Sequence, residues 1–302
     1  MARHHTERED GREDRERRAE DATLSVAEAR RIAVRRLRTA GVDSPEPEAL
    51  ALLEAVTGLE RAALLLTPER PLAREERLRL LEALQRRAAR EPLQHILGTA
   101  PFYGLELGVD PSVLVPRPET ERLVEIVLEA LRKVERPRVL DVGTGSGAIA
   151  LAIRAERPDA QVMATDVAPE ALAVAHRNAA QLSLEVRTVR SDLLAEAQVA
   201  AFAAGCDALV ANLPYLPEGD ADRLQPEAGR DPALALYAGV DGLRLVRRLI
   251  CQAGRLLPGG VLLALELDPR NVEVAQRELA AWRRSWVAED LTGRKRFLLA
   301  RR

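Results

Sequence analysis

The chain has 302 residues, a length typical of two domains, and its 45 basic and 47 acidic side chains give a net charge of -2. The acidic excess lies in residues 1–21, which hold six arginines and eight acids, so the rest balances at 39 against 39. A balanced chain lacks the basic excess that duplex nucleic acid usually demands, so nucleic acid is not expected as a direct partner. Two cysteines, Cys206 and Cys251, are too few for a disulfide framework or a zinc site, and no metal is expected.

The N-terminal segment resembles neither a secretory signal nor a membrane anchor. Residues 1–22 are densely charged and lack an apolar stretch, so we expect a disordered tail. The longest apolar stretch, Val261–Leu267, is far too short to cross a bilayer. These features predict a cytoplasmic protein without a membrane partner.

Residues 23–90 show helical patterning. Apolar residues recur at helical spacing, Ser25 precedes the first run as a potential cap, and Gly58 follows the second run. The predicted helices span 26–38, 46–57, 61–66 and 72–89. The last has Leu78, Leu81, Ala83 and Leu84 as its periodic apolar residues. We expect a small helical-bundle domain that serves packing or partner recognition.

Residues 91–118 change in character, because proline and glycine recur there and break helices. Short strand-like pieces lie between these residues, at 102–103, 105–109 and 113–115. This pattern predicts a β-hairpin linker between two domains.

From residue 119 to 302, helical and strand-like segments alternate. The predicted helices span 120–134, 147–157, 169–181, 240–256 and 271–281. The predicted strands span 138–142, 161–165, 184–188, 208–211, 260–267, 285–288 and 297–300. Such alternation is typical of an α/β fold with a doubly wound, mostly parallel sheet, and the last two strands can form an antiparallel hairpin at one edge.

A glycine-rich loop, Asp141-Val-Gly-Thr-Gly-Ser-Gly147, follows the first strand of this region and precedes a helix. Glycines let the backbone turn sharply and approach a ligand closely. The spacing differs from that of a dinucleotide-binding loop, and no Gly-Lys-Ser/Thr is present, which excludes a P-loop. The loop resembles the S-adenosyl-L-methionine loop of class I methyltransferases. That resemblance implies cofactor contacts from Asp141, Gly143, Thr144, Gly145 and Gly147, and a class I methyltransferase sheet.

Two more acidic residues come at the ends of the next strands. Asp166 lies 23 residues after Gly143, where a carboxylate can accept hydrogen bonds from both ribose hydroxyls. Asp192, in Ser191-Asp192-Leu193, resembles the adenine-contacting acid of the same methyltransferases. Together with the loop, they predict S-adenosyl-L-methionine as cofactor and S-adenosyl-L-homocysteine as product.

Asn212-Leu213-Pro214-Tyr215 follows the fourth strand and resembles the Asn-Pro-Pro-Tyr motif of methyltransferases that act on planar NH2 groups. An amide nitrogen is a poor nucleophile because its lone pair is delocalised into the carbonyl. Asn212 Oδ1 and the Leu213 carbonyl are expected to accept its two N–H groups, and Tyr215 to stack on it. We therefore expect all four residues to be catalytic and substrate-binding, and Asn212 to contact the cofactor as well. Leu213 replaces the commoner proline, but it still precedes Pro214 and is biased towards an extended backbone.

The segment before the glycine loop indicates the acceptor. Glu91-Pro-Leu-Gln-His-Ile-Leu-Gly98, Phe102-Tyr103-Gly104 and Val113-Leu-Val-Pro-Arg-Pro-Glu-Thr120 resemble the HemK (PrmC) family of release-factor glutamine N5-methyltransferases. The resemblance covers about residues 25–302. It implies methylation of the glutamine in the Gly-Gly-Gln motif of class I peptide-chain release factors. It also implies that the helical domain and the hairpin help to recognise the release factor.

The same resemblance implies further site residues. Phe102 would lie beside the cofactor and the acceptor, and Arg117 and Glu119 would lie near the cofactor. Arg230-Asp231-Pro232 stands where the family often has Phe-Glu-Pro, so any substrate contact made there is altered in detail.

Three alternatives stay open. A glutamine methyltransferase acting on a ribosomal protein would use the same chemistry, although Pro118-Glu119-Thr120 favours a release factor. An adenine N6-methyltransferase of ribosomal RNA or DNA is favoured by Asn-Leu-Pro-Tyr and opposed by the charge balance outside the tail. A cofactor-binding scaffold without catalysis is opposed by the presence of Asn212, Pro214 and Tyr215. The prediction is an enzyme, a protein-(glutamine-N5) methyltransferase.

Overall fold

The computed structural model describes residues 24–223 and 225–302. Two compact units divide between Leu97 and Gly98. The boundary lies inside the segment predicted as a linker, because residues 91–97 belong to the first unit and the hairpin belongs to the second. The predicted tail, residues 1–22, lies outside the described residues.

The described part of the first unit is helical. Its helices are α1 Val26–Thr39, α2 Pro45–Thr57, α3 Arg61–Leu66, α4 Arg74–Ala88 and α5 Leu93–Leu97. Helix α1 begins with a capping box: the Ser25 hydroxyl accepts from the Glu28 backbone N–H at 3.3 Å, and the Glu28 carboxylate accepts from the Ser25 N–H at 3.0 Å. Gly58 ends α2 in the left-handed conformation that glycine adopts without strain. The predicted bundle is present, with α5 as an additional turn.

The buried face of α4 agrees with the prediction only in part. Ala83 and Leu84 lie in the apolar core of the unit, together with Leu80, whereas Leu78 and Leu81 are exposed. Leucines at both spacings give the helix two possible apolar stripes, and packing against α2 and α1 selects one of them.

A tight hairpin opens the second unit. Strands β1 Thr99–Phe102 and β2 Leu105–Gly108 pair antiparallel. Tyr103 and Gly104 between them have φ values of 49° and 75°, as a two-residue hairpin turn requires. Phe102 is almost completely buried. The third predicted piece, residues 113–115, forms no strand, although Val113 and Val115 are buried.

The rest of the second unit alternates helices with strands. In chain order the elements are α6 Pro118–Leu131, β3 Arg138–Val142, α7 Ala148–Glu156, β4 Gln161–Asp166, α8 Pro169–Gln181, β5 Arg187–Arg190, α9 Ala197–Ala203, β6 Ala208–Asn212, α10 Ala233–Leu236, α11 Arg244–Leu256, β7 Leu262–Glu266, α12 Val272–Arg277, β8 Arg284–Glu289 and β9 Lys295–Arg301. None of the helices described is both long and apolar enough to cross a membrane. Helices α9 and α10 were absent from the prediction, and α11 begins at Arg244 because residues 240–243 form a turn.

The strands form one seven-stranded sheet in the order β5-β4-β3-β6-β7-β9-β8. The first five strands in this order run parallel, and β9 and β8 form an antiparallel pair beside β7. Side chains of β6 alternate between two apolar clusters: Ala208 and Val210 lie in one, Leu209 and Ala211 in the other. Both faces of the sheet are therefore covered, and the predicted doubly wound mixed sheet is confirmed.

The strand order places a crevice beside β3. From β3 the chain builds outward through β4 to β5 on one side, then returns to place β6 and β7 on the other. Loops from strands on opposite sides of such a reversal diverge at the carboxyl ends and leave an opening there. The glycine loop, Asp166 and Asn212 end β3, β4 and β6, so all three come to this opening.

The long segment after β6 folds back on the motif that begins it. The Leu216 N–H donates to the Leu236 carbonyl, and the Ala238 N–H donates to the Leu216 carbonyl, both at 2.9 Å. Gly242 has a φ of 74°, and a Cβ at that position would lie 2.1 Å from the carbonyl oxygen of Tyr215. The close approach of these two backbones therefore requires glycine.

We predict that Gly242→Ala destabilises the protein by more than about 1 kcal/mol, because alanine combines a disfavoured backbone conformation with the collision at Tyr215. Urea unfolding of the full chain measures this loss. Gly259→Ala is the matched control, because its Cβ meets no atom within 4 Å and its φ is not in the left-handed region. Equal stability of the two variants would contradict the packing described for Gly242.

Candidate active site

The carboxyl ends of β3, β4 and β6 surround a cavity of about 540 Å³. This volume lies in the range of small-molecule and cofactor sites. Of the residues predicted for the site, the cavity wall includes Phe102, Arg117, Gly143, Thr144, Gly145, Asp166, Asp192, Asn212, Leu213 and Pro214. Asp141, Gly147, Glu119 and Tyr215 lie outside its wall. The fold therefore brings most of the predicted residues together around one opening.

Asp141 supports the glycine loop from below. Its side chain is completely buried, and its Oδ2 accepts from the Thr144 hydroxyl at 2.6 Å and from the Ala150 N–H at 3.2 Å. Burial raises the pKa of Asp141 to about 7, and nearby Asp166 adds to the rise, while the two hydrogen bonds oppose it. The carboxyl group thus ties the loop to the first turn of α7.

Gly147 has a structural role at the start of α7. Its φ is 86°, and a Cβ would lie 3.1 Å from Leu151 and 3.2 Å from the Cβ of Ala175 on α8. The absence of a side chain lets α8 pack close to the loop. Gly145 differs, because no atom lies within 4 Å of the position its Cβ would take, so this part of the loop is open.

Backbone N–H groups hold the Asp166 side chain at the carboxyl end of β4. Its Oδ2 accepts from the Gly145 N–H and its Oδ1 from the Ala168 N–H, each at 3.0 Å. Burial raises the pKa of Asp166, while these hydrogen bonds lower it. Asp192, farther along the cavity wall, pairs with Arg248 at 2.7 Å, and both side chains are substantially exposed. The two carboxylates thus occupy different environments along one wall.

The four-residue motif after β6 places each side chain differently. Asn212 lies in the cavity wall, and its Nδ2 donates to the Thr120 hydroxyl at 3.2 Å. Leu213 is buried against the glycine loop, since a Cβ on Gly143 would lie 2.8 Å from its Cδ2. Burial and the Glu266 carboxylate raise the pKa of Tyr215 to about 12, so this phenol is neutral at pH 7. The Leu213 side chain therefore packs against the glycine loop, and its backbone continues directly from Asn212.

The residues before α6 also reach the site. Phe102 lies in the cavity wall with 1% of its surface exposed. Arg117 lies there too, and its guanidinium pairs at 2.7 Å with the carboxylate of Asp231, whose side chain is fully buried. Glu119 faces Arg294 instead, with 3.8 Å between their charged groups. Asp231 thus links the segment that precedes α6 to the loop after β6.

Sequence reasoning missed several residues at this site. Thr120 and Asp231 were noted only as parts of short motifs, and Glu266, at the end of β7, was not considered. Asn212 and Thr120 are 92 positions apart, so no local pattern relates them. Glu266 carried one available signal, a single charge at the end of an otherwise apolar strand.

Two family descriptions match the chain. Residues 28–98 match the PrmC N-terminal domain, and residues 120–224 match the methyltransferase small domain. In structure, the hMettl16 catalytic domain in complex with MAT2A 3'UTR hairpin 1 is similar, with a TM-score of 0.55 at 17% identity. That match covers 75% of this chain and 79% of the other, and it concerns the fold alone.

Other proteins share a much higher sequence identity with this chain. A release factor glutamine methyltransferase of Deinococcus radiodurans is 49% identical over 273 residues, which cover 89% of this chain and 96% of that protein. One of Moorella thermoacetica is 41% identical over 284 residues, covering 92% and 99%. These matches run through the helical unit, the glycine loop and the strands that carry the site. The chain therefore belongs to the release factor glutamine methyltransferase family.

Proposed function

We propose that this enzyme transfers a methyl group from S-adenosyl-L-methionine to the side-chain amide nitrogen, N5, of the glutamine in the Gly-Gly-Gln motif of class I peptide-chain release factors. The observation that carries the proposal is Asn212. It lies in the cavity wall with its Nδ2 already bonded to Thr120, which leaves Oδ1 to accept a hydrogen bond from a substrate amide.

The cavity fits the cofactor. Asp166 presents a fixed carboxylate suited to two ribose hydroxyls, and the loop is open at Gly145, where a ligand can approach the backbone. Asp192 is proposed at the adenine. The remaining proposed cofactor contacts are Gly143, Thr144, Phe102, Arg117 and Asn212. Asp141 and Gly147 lie outside the cavity wall and act by shaping the loop from behind, and Glu119, which faces Arg294, is not proposed as a contact.

The protein's contribution to the reaction is alignment. The bound cofactor supplies a methyl group on a positively charged sulfur, which is a good leaving group. Asn212 Oδ1 and the carbonyl of Leu213 are proposed to accept the two N–H groups of the substrate amide and direct its nitrogen at the methyl carbon. Phe102 is the aromatic ring proposed against the planar amide, and Pro214 bounds it. Tyr215 lies outside the cavity wall, and its stacking on the amide stays a prediction.

The balance of the reaction is simple. A nitrogen–carbon bond forms as the carbon–sulfur bond breaks, and the electron pair of that bond stays on sulfur to give S-adenosyl-L-homocysteine. One amide proton then leaves to solvent. The proposed partner implies a cytoplasmic location, and we assign its recognition to the helical unit and the β1–β2 hairpin.

We predict that the purified enzyme transfers one labelled methyl group to a class I release factor, and that a factor with Gln replaced by Ala in its Gly-Gly-Gln motif takes up none. Mass spectrometry of the peptide locates the methyl group. Equal labelling of the substituted factor would overturn the site assignment. Parallel reactions with ribosomal proteins and ribosomal RNA test the other acceptors, and preferential labelling of either would replace the proposal.

We expect Asn212→Ala to lower kcat by about 100-fold or more, the usual effect of removing one group that orients charge at the reaction centre. Cofactor affinity, measured by calorimetry, should change by less than about threefold, because Asn212 is only one of several proposed cofactor contacts and the change leaves the glycine loop and Asp166 in place. A loss of cofactor binding that accounts for the whole loss of activity would contradict the acceptor role.

The opposite pattern is expected for Asp166→Ala. Loss of hydrogen bonds from a charged carboxylate should weaken cofactor binding by about 10- to 100-fold. The control is Glu106→Ala, since Glu106 is exposed on β2 and lies outside the cavity wall. Unchanged cofactor affinity in Asp166→Ala would rule out the proposed ribose contact.

A further inference from the structure

Two buried polar side chains adjoin Asn212, and one of them, Thr120, belongs to the cavity wall. Thr120, in the first turn of α6, is 4% exposed, and Glu266, the last residue of β7, is 1% exposed. The sheet register pairs Asn212 directly with Glu266 on the neighbouring strand. A buried threonine and a buried glutamate therefore adjoin the one side chain proposed to hold the substrate amide.

The threonine hydroxyl has one hydrogen to donate, and this decides which group donates and which accepts in each hydrogen bond. Thr120 Oγ1 accepts from Asn212 Nδ2 at 3.2 Å, so its single hydrogen is available to another acceptor. The buried Glu266 carboxylate, which the sheet register pairs with Asn212, is the acceptor assigned to this hydrogen, and such a bond would lower the pKa of Glu266. An ionised carboxylate can only accept. It therefore keeps the lone pairs of Thr120 turned towards the Asn212 NH2 group.

We propose that Thr120 and Glu266 are positioning residues that hold the Asn212 amide with its NH2 group inward and its Oδ1 towards the substrate glutamine. The inference rests on the proposed methyl transfer to an amide. Neither residue touches the reacting atoms, and both act through Asn212. Without them, Asn212 could rotate by half a turn and present its NH2 group to the substrate NH2, which would repel it.

The surroundings of Glu266 make this arrangement sensitive to pH. Burial, with smaller contributions from the Glu119 carboxylate on α6 and the Asp290 carboxylate before β9, raises the pKa of Glu266 to about 7. A hydrogen bond from Thr120 and the Arg296 guanidinium on β9 oppose this rise. Tyr215 also lies beside Glu266, and burial raises the pKa of Tyr215 to about 12, so this phenol stays neutral over the same pH range.

Protonation would change the direction of the hydrogen bonds. A protonated Glu266 can donate to Thr120, and the Thr120 hydroxyl can then donate to Asn212 and favour the unproductive orientation of its amide. Oε2 of Glu266 has no hydrogen-bond partner among the residues described, so little opposes uptake of the proton there. Activity should therefore decrease as the pH falls through about 7.

The first test removes the hydroxyl alone. Thr120→Val keeps the shape of the side chain, and we expect kcat for release-factor methylation to fall about tenfold, with KM and cofactor affinity within about twofold. Thr120→Ser restores a hydroxyl and should recover kcat to within about threefold of the wild type. Thr188→Val on the edge strand β5 is the control for the substitution itself. A wild-type kcat in Thr120→Val would overturn the proposal, as would equal losses in the valine and serine variants.

The second test removes the titratable carboxyl group of Glu266. The wild-type profile of kcat between pH 5.5 and 8.5, an interval of about 1.5 units on each side of the expected midpoint, should show an acid limb. Glu266→Gln should have a lower kcat without that limb, because its amide has no charge to lose. Glu289→Gln on β8 is the matched control and should keep the wild-type profile. An unchanged acid limb in Glu266→Gln would overturn the role of Glu266.

Failure of release-factor methylation and failure of the positioning role give different experimental results. If the wild-type enzyme does not methylate a release factor, the proposed function fails first. If it does, and the Thr120 and Glu266 variants keep full kcat with the wild-type pH profile, only the positioning role fails. Cofactor affinity and thermal unfolding of each variant identify a loss that comes from misfolding, and such a loss in Thr120→Ser as well would count against positioning.

Discussion

The site depends on the reversal of strand order beside β3. Parallel strands bring their carboxyl ends to one edge, and the reversal separates the loops that follow β3 and β6. The glycine loop, Asp166 and Asn212 belong to three different strands and still reach one cavity. Moving any one strand by a single residue would turn its terminal side chain to the other face of the sheet.

Three carboxyl groups lie in or near the wall of this opening, and their environments separate them by role. Asp141 accepts two hydrogen bonds beneath the loop, and burial raises its pKa to about 7. Asp166 accepts two backbone N–H groups and lies in the cavity wall. Glu266 lies behind Asn212, where burial again raises the pKa to about 7. One shapes the loop, one is proposed to bind ribose, and one is proposed to orient the asparagine.

The loop after β6 links the acceptor motif to the segment before α6. Asp231 is buried and pairs with Arg117, and Gly242 lets the backbone return against Tyr215. Arg230-Asp231 stands where the resemblance leads us to expect Phe-Glu, and Asp231 forms an ion pair with Arg117 at the cavity wall. Leu213, the other departure, packs against the glycine loop while its backbone follows Asn212.

The sequence by itself determined the chain order of the strands in the large sheet and of the helices other than α9 and α10, the glycine loop, and the family, because periodicity and short motifs are local. Leu78 and Leu81 show its limit: both fit a helical apolar stripe, and only packing against neighbouring helices decided that they are exposed and that Leu80 is buried with Leu84. Thr120 and Glu266 show the same limit at the site. Their relation to Asn212 comes from strand register and from the docking of α6, which join residues far apart in the chain. Tertiary structure alone decides such contacts, because burial and hydrogen bonding depend on neighbours in space.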